Sequence, residues 1–259
     1  MSNNLFGEDL TVVNVGLASF EADAAAQGAR TAQVNWSPPR EYSPEVTAAM
    51  AKLQAPDVAA RIAAANREVV QRVIDAHPVL TGFDPAIDVV PGMTKNTILH
   101  AGPPIAWDDM CGAMRGAVTG AIVFEGLAKD IAEAEEVAAN GGVVFSPCHE
   151  HNCVGSMAGV TSASMYVHVV ENRTHGNVAY TNLSEQLAKI LRMGANDQSV
   201  IDRLVWMRDV FGPMLAAAMK SAGEIDLRSM LAQALHMGDE DHNRNTAGTL
   251  LLFQALAPH

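Results

Sequence analysis

An apolar, β-branched run near the N-terminus reads Thr11-Val12-Val13-Asn14-Val15-Gly16, and a helical stretch over 20–27 follows it. Gly28 is placed to end that helix, and the run Thr31-Ala32-Gln33-Val34-Asn35-Trp36 forms a second candidate strand before two prolines. The order strand, helix, strand predicts a βαβ unit. Gly16 alone does not make the glycine fingerprint of a dinucleotide-binding turn, so we interpret the unit as a structural crossover rather than a nicotinamide or flavin site.

Strand and helix patterns alternate beyond this unit, and the chain becomes mostly helical after Asn172. Residues 44–77 predict two alanine-rich helices. Proline and glycine then cluster between Pro78 and Gly92, which indicates a boundary between a region of residues 1–92 and a main domain of residues 93–259. The sequence therefore predicts an α/β fold, with a small N-terminal βαβ unit followed by a larger α/β domain ending in helices. Those helices are expected near 184–193, 198–222, 226–237 and 242–256, with Asp226 as an N-cap.

Glycine recurs at every fourth position of a helix predicted over about 108–127. The positions are Gly112, Gly116 and Gly120, which share one face. Glycine in a helix interior costs about 1 kcal/mol relative to alanine, so another interaction must offset it. We predict that another backbone approaches this face closely, and Arg115 and Glu125 argue against a membrane version of the motif.

The amino-acid composition limits the classes of molecule that the chain can be expected to bind. The chain has 259 residues, of which 17 are Lys or Arg and 29 are Asp or Glu, and its formal net charge is -12. This charge repels phosphate backbones and anionic lipids, so we expect no nucleic-acid or membrane partner. Three cysteines fit a reducing compartment better than a disulfide framework, and no signal sequence is recognised. We expect a cytoplasmic protein.

Two thiols and two imidazoles lie within the six residues Cys148-His149-Glu150-His151-Asn152-Cys153, after a predicted strand. The carboxyl ends of strands in α/β sheets are where ligands bind. Cys and His are the usual zinc ligands, yet neither a CxxC pair nor an HxxxH helix is present. Three interpretations stay open here: catalytic imidazoles at His149 and His151, a zinc site, and structural hydrogen bonding in a crowded loop.

The stretch 237–245 carries three acids, a histidine, two asparagines and an arginine between two apolar segments. Each buried polar group without a partner costs about 1–3 kcal/mol, so a site that supplies partners is favoured over an exposed turn. The candidates are Glu240 and His242 as proton carriers, with Asn243, Arg244 and Asn245 as substrate contacts.

Other polar positions can orient an acid or hold an anion. Glu171 and Asn172 follow a predicted strand, although a turn explains them equally well. Glu185 and Arg192 belong to a predicted helix where capping and solvated charge explain most of the pattern. Arg115 lies early in the glycine-bearing helix, after a glycine turn whose N–H groups can face an anion.

Several separate motifs together resemble the YlbE/AllG-like family, whose members were formerly described only as a domain of unknown function associated with FdrA. They are Val12-Val13-Asn14-Val15-Gly16-Leu17, Val34-Asn35-Trp36-Ser37-Pro38-Pro39, His100-Ala101-Gly102-Pro103-Pro104, Phe145-Ser146-Pro147-Cys148-His149, Leu183-Ser184-Glu185 and Met237-Gly238-Asp239-Glu240. The resemblance implies a subunit of oxamate carbamoyltransferase, an enzyme of allantoin breakdown that exchanges a carbamoyl group between carbamoyl phosphate and oxamate. It also implies an oligomer with FdrA-like and other subunits. Family members continue with a further C-terminal segment, which is expected either on a separate chain or to be lacking in a divergent short form.

We therefore expect carbamoyl transfer to a small nitrogenous acid, a reaction that needs cations for the phosphate, donors for the carbonyl oxygen and a base. No cofactor or metal is expected. The cation candidates are Arg115, Arg192 and Arg244, the donors are His149 and His151, and the base is Glu240 or His242. One alternative is a metal-dependent amidohydrolase with Cys148, His149, His151 and either Cys153 or His242 as ligands. The other is a non-catalytic scaffold subunit.

The enzymatic hypothesis requires that the histidine-bearing loop after Phe145 and the polar stretch before Thr246 converge on one cavity.

Overall fold

The computed structural model describes residues 11–37, 42–185, 189–241 and 245–258. The chain divides into two compact units, Met1–Val69 and Val70–His259. The expected domain limit at residue 92 lies inside the second unit, and as a functional division it stays a prediction. The predicted fold class is confirmed, because a βαβ unit precedes a larger part that mixes sheets with a mainly helical C-terminal region.

The first unit contains the predicted crossover. Strand β1 (Thr11–Val15) pairs in parallel with β2 (Arg30–Val34), and helix α1 (Ala18–Ala26) connects them. Gly28 ends the connection with a φ of +87°, a conformation that favours glycine. Two further helices follow, α2 (Pro44–Leu53) and α3 (Pro56–Asp75), and α3 continues into the second unit.

The larger sheet of the second unit is antiparallel, with the strand order β8-β7-β3-β9. Its strand β3 forms within the proline- and glycine-rich segment, with Pro78 and Pro85 at its two ends, where a missing N–H does little harm to the ladder. The strands are β3 (Pro78–Pro85), β7 (Tyr166–Asn172), β8 (Val178–Asn182) and β9 (Ile225–Asp226).

The smaller sheet has the order β5-β4-β6, in which β4 pairs in parallel with β5 and antiparallel with β6. Its core is formed with helices α5 and α6, around buried residues such as Ile98, Val118 and Ile122. The elements are β4 (Thr97–His100), β5 (Val144–Pro147), β6 (Val160–Ser162), α5 (Gly112–Phe124) and α6 (Ile131–Ala139), with the short helix α4 (Ala86–Val89) before them.

The glycine face of α5 packs as the sequence predicted. A Cβ on Gly116 would overlap the backbone of Gly194, whose Cα would lie 2.8 Å away. A Cβ on Gly120 would lie 3.1 Å from the Cβ of Asn196 and would also overlap the side chain of Leu191. The prediction of close backbone approach is confirmed at Gly116, whereas side chains crowd Gly120 and Gly112 has open space beside it.

The C-terminal helices are α7 (Gln198–Trp206), α8 (Gly212–Ala222), α9 (Leu227–His236) and α10 (Thr246–Leu256), and a π-helical turn over Met207–Phe211 joins α7 to α8. Asp226 caps α9 as predicted, because its carboxylate accepts from the N–H groups of Arg228 and Ser229. The helix predicted over 184–193 is wrong in its described residues, which form irregular chain and a short 3-10 turn at Leu191–Met193. Residues 186–188 lie outside the described chain.

Asp239 is buried beside the start of α10. One of its carboxylate oxygens accepts from the N–H of Ala247 at 2.6 Å, and the other accepts from the N–H of Asp241 at 2.9 Å. The backbone N–H groups at the start of a helix have no partner within the helix, so a carboxylate placed there can accept their hydrogen bonds. Asp239 thus holds the first turn of α10.

We expect Asp239→Asn to lower the free energy of unfolding by about 1–3 kcal/mol, because the amide nitrogen must face one of the two backbone donors. Chemical denaturation measures the change. The matched control Asp202→Asn alters an exposed carboxylate on α7 and is expected to stay within about 0.5 kcal/mol of the wild type. Equal effects of the two substitutions would contradict the prediction.

Within the described residues, no helix combines the length and the apolar character needed to cross a membrane.

Candidate functional site

A cavity of about 800 Å³ opens in the second unit, where the end of β8 meets α7, the π-helical turn, α8 and α10. The side chains that line it fall into a polar group and an apolar group. The charged or strongly polar side chains include His168, Asn182, Ser184, Glu185, Arg192 and Arg203. The large apolar ones include Trp206, Met207, Phe211, Leu215, Leu252 and Phe253. A concave, largely apolar site with a few convergent polar groups is the usual form of a small-molecule site.

Two polar atoms of the cavity residues have no partner among the residues that the structure describes. The Oγ of Ser184 and the Nε of Arg192 are both buried, and neither has a hydrogen-bond partner in the described part of the chain. Buried polar groups in folded proteins are nearly always paired, and each exception costs about 1–3 kcal/mol. Since both residues line the cavity, a polar ligand there would supply the missing partner.

Arg192 is held in place by its neighbours. The N–H of Leu191 donates to the carboxylate of Glu185, and Nη1 of Arg203 donates to the carbonyl of Lys189 at 2.9 Å. Lys189 in turn pairs with Asp197 at 2.8 Å, and this bond, with a second from Ser199, lowers the pKa of Asp197 to about 2. Hydrogen bonds therefore hold both Lys189 and Leu191, and this fixes the backbone directly before Arg192.

His168, on β7, gives the cavity a titratable group. Its Nδ1 lies 3.0 Å from the carbonyl oxygen of Thr181, the residue opposite it on β8. A carbonyl can only accept, so Nδ1 carries the proton and Nε2 of the neutral ring keeps a lone pair. Burial beside Phe83, with ring centroids 5.0 Å apart, lowers the pKa of His168 below its usual value. The imidazole is thus kept neutral and able to accept a proton.

The apolar wall is aromatic. Trp206 and Phe211 stack with their ring centroids 5.2 Å apart, and Phe253 of α10 lies 6.4 Å from Phe211. The π-helical turn lies between Trp206 and Gly212 and so places two of these rings. Such turns occur frequently at functional sites.

Three residues predicted from the sequence lie in this cavity, namely Glu185, Arg192 and Asn245. His242, Asn243 and Arg244 lie outside the described residues. Glu240 is exposed and does not line the cavity. The polar stretch before α10 therefore reaches the cavity through Asn245.

The histidine-bearing loop also reaches the cavity, but through Ser156 rather than through its histidines. His149 is exposed. His151 is bound on both ring nitrogens, with Nε2 2.7 Å from the Oγ of Ser146 and Nδ1 2.5 Å from the carbonyl of Pro91. The structure does not bring these imidazoles together with Arg192.

Arg115, Glu171 and Asn172 also lie away from the cavity lining. Arg115 donates to the carbonyls of Asp108, at 2.6 Å, and Met110, at 3.2 Å. Glu171 pairs with Arg173. The carboxamide oxygen of Asn172 accepts from the N–H of His77 and of Thr174, which is the turn arrangement. These contacts hold the three side chains outside the cavity lining.

The cysteines do not form a metal centre with these groups. Burial raises the pKa of Cys148 to about 11 and that of Cys153 to about 12, so without a metal both are thiols near neutral pH. Among the residues that the structure describes, no group of His, Cys, Asp or Glu side chains is arranged to hold a metal ion. The metal-dependent alternative therefore has no donor set in this part of the chain.

Sequence reasoning missed three residues of the cavity lining, His168, Ser184 and Arg203. The only local signal for His168 is a polar residue in the apolar run Met165-Tyr166-Val167-His168-Val169-Val170. Arg203 lies in a helix whose charged residues resemble a solvated face. Neither pattern shows which neighbours share the cavity.

The fold is that of an α/β protein, and the cavity has two arginines in its lining, the side chains that pair with carboxylates and phosphates. The family of the oxamate carbamoyltransferase subunit AllG matches residues 143–259, a segment that contains all the described residues that line the cavity. The chain is 47% identical over 199 residues to the oxamate carbamoyltransferase subunit AllG of Escherichia coli K12, covering 76% of this chain and 48% of that protein. The resemblance to the AllG-like family is confirmed.

Two other relatives carry no assigned function. The uncharacterized protein YahG of Escherichia coli K12 is 65% identical over 258 residues, which is 100% of this chain and 55% of that protein. A crystal structure of a conserved protein of unknown function from Enterococcus faecalis V583 has a TM-score of 0.74 and 66% identity, covering 76% of this chain and 48% of that one. The chain spans about half the length of the relatives it matches.

Proposed function

We propose that this chain is a subunit of a carbamoyltransferase-like enzyme that acts on a small nitrogenous acid such as oxamate, with carbamoyl phosphate as the other substrate. The observation that carries the proposal is the pair of buried, unpartnered polar atoms, Ser184 Oγ and Arg192 Nε, in an arginine-bearing cavity of the described chain. The likeness to AllG supports the same reaction class.

The reaction sets clear demands. The nitrogen of the acid attacks the carbonyl carbon of carbamoyl phosphate, a C–N bond forms, and the C–O bond to the phosphate breaks. Phosphate leaves with the bonding electrons, and the nitrogen loses a proton to a base. The site must therefore hold two anions, stabilise charge on the carbonyl oxygen and accept one proton.

The cavity offers a group for each demand. Arg192 and Arg203 supply fixed cations for the carboxylate and the phosphate. The hydroxyl of Ser184 supplies a donor for the developing oxyanion. His168 accepts the proton at Nε2, since its Nδ1 is committed to Thr181. His242 and Arg244 keep their predicted roles as proposals, because they belong to the polar stretch that reaches the cavity.

The proposal includes an assembly. A subunit function fits FdrA-like and other subunits as partners in a cytoplasmic complex of nitrogen catabolism. A scaffold role without catalysis predicts instead that this chain binds no small acid even inside such a complex.

The test is carbamoyl transfer by the complex that copurifies with this chain, with labelled carbamoyl phosphate and oxamate. Formation of labelled N-carbamoyl product together with inorganic phosphate is the expected result. We expect Arg192→Gln to raise KM for oxamate about 10- to 100-fold, because the loss of a hydrogen bond to a charged group costs about 1.5–3 kcal/mol.

The matched control is Arg173→Gln, which removes an arginine that pairs with Glu171 and Glu224 outside the cavity. Its KM for oxamate should equal that of the wild type. A wild-type complex without transfer overturns the proposed reaction. An unchanged KM in Arg192→Gln, with transfer intact, overturns the proposed site.

A further inference from the structure

The cavity is larger than the proposed small acid requires. Its volume of about 800 Å³ lies in the upper part of the range of roughly 300–1,000 Å³ that holds drug-sized ligands. Oxamate is a two-carbon acid made almost entirely of polar atoms. It can satisfy the polar groups of the wall, but it leaves the aromatic part of the wall uncovered.

The polar and apolar parts of the wall occupy different places. A small recess of about 20 Å³ adjoins the cavity and shares with it Leu183 and the polar side chains of Ser156, Asn182, Ser184, Glu185 and Arg192. The rest of its lining is aliphatic or thioether, namely Val160, Met165, Leu191 and Leu204. The aromatic residues Trp206, Phe211 and Phe253 line the cavity but not the recess. We call the recess side, where five polar side chains lie among aliphatic ones, the polar end, and the side lined by the three aromatic rings the apolar end.

The polar end holds the two unpartnered atoms, which suit the oxygens of a carboxylate. Both unpartnered atoms, Ser184 Oγ and Arg192 Nε, belong to residues shared by the recess and the cavity within the described chain. The recess has room for about one water-sized group, so the rest of a ligand anchored there must extend into the larger cavity.

The apolar end presents aromatic rings that are still exposed to water. Trp206 is 50% exposed and Phe253 is 40% exposed, although they stand in a cluster with Phe211. Aromatic contacts are worth about 0.5–1.5 kcal/mol beyond the area that they bury. A flat apolar group beside these rings would remove that surface from water.

We propose that the acid bound by this chain carries an apolar, preferably aromatic, body next to its amide and carboxylate, with the carboxylate at Arg192 and the body against Trp206 and Phe211. This inference rests on the proposed function and names its substrate class. It makes Trp206 a specificity-determining residue.

The experiment is a pair of calorimetric titrations of the full chain with oxamate and with oxanilate, which is oxamate bearing a phenyl group on nitrogen. Oxanilate is expected to bind at least about 10-fold more tightly than oxamate. In Trp206→Ala the preference should fall to about 3-fold or less, and a wild-type circular dichroism spectrum shows that the variant is folded. Phe253→Ala, on another helix, should reduce the preference in the same direction.

The matched control is Val210→Ala, which alters an exposed residue of the π-helical turn that does not line the cavity. It should keep the full preference. Equal binding of the two acids overturns the inference, and so does a preference that Trp206→Ala leaves intact. Transfer to oxamate without a preference for oxanilate overturns this inference alone, whereas a preference for oxanilate without any transfer overturns the proposed reaction alone.

Discussion

His168→Gln is expected to lower kcat for carbamoyl transfer by about 10²- to 10⁴-fold, the usual contribution of a positioned general base. The glutamine amide can still donate to the carbonyl of Thr181, so the strand pairing is preserved, but it cannot take up a proton. The wild-type ring is held with Nδ1 on Thr181 and Nε2 unprotonated. KM for the acid should change by about 3-fold at most, because the arginines remain.

The pH profile gives a second readout of the same residue. Burial lowers the pKa of His168 below 6.5, so the base stays neutral until the pH falls below that value. The wild-type rate should therefore decline on the acid side below pH 6.5, and the residual rate of His168→Gln should lack this decline. Stability follows the same sign: the contribution of the neutral ring is complete above pH 6.5 and is lost as the pH falls through the folded-state pKa.

The matched control is His236→Gln on α9. The Nδ1 of His236 lies 2.8 Å from the carbonyl of Ala232, so the ring makes the same kind of bond, but it is exposed and outside the cavity. Its kcat and pH profile should match the wild type. A wild-type kcat in His168→Gln would remove His168 from the reaction, and equal losses in both variants would point to a general effect of histidine substitution.

The local parts of the fold follow from the sequence. The βαβ unit was predicted because its strands and helix are each specified by adjacent residues, and Gly28 has the positive φ that the pattern requires. The packing of α5 was predicted for a different reason: repeated glycines weaken a helix, so a close neighbour had to compensate. In both cases the signal lies within one segment of the chain.

Tertiary packing decided what the local patterns could not. Lys189 and Arg192 have helical spacing, yet the close approach of Leu191 and Gly194 to α5 replaces the predicted helix by a 3-10 turn. The partner of His168 is Thr181, which is defined by the register of two strands. The histidine-rich loop drew attention by composition alone, and composition does not reveal that His151 is already bound on both nitrogens.

Gly116→Val is expected to lower the free energy of unfolding by about 3 kcal/mol, at the upper end of the usual cost of overpacking. The added side chain would meet the backbone of Gly194, which cannot rotate away as a flexible side chain can. The turn Leu191–Met193 must then move away from α5, and Arg192 moves with it. Oxamate binding should fall at least as far as in Arg192→Gln, although Gly116 does not line the cavity.

Gly112→Val provides the matched control, because it adds the same side chain to the same helix where no atom lies within 4 Å of the new Cβ. It should leave oxamate binding intact and change the free energy of unfolding by less than about 1 kcal/mol. Calorimetric titration and chemical denaturation of both variants separate the two effects. If Gly116→Val loses stability but binds oxamate normally, then the glycine face supports the fold without positioning Arg192, and the link from the helix packing to the anion site is wrong.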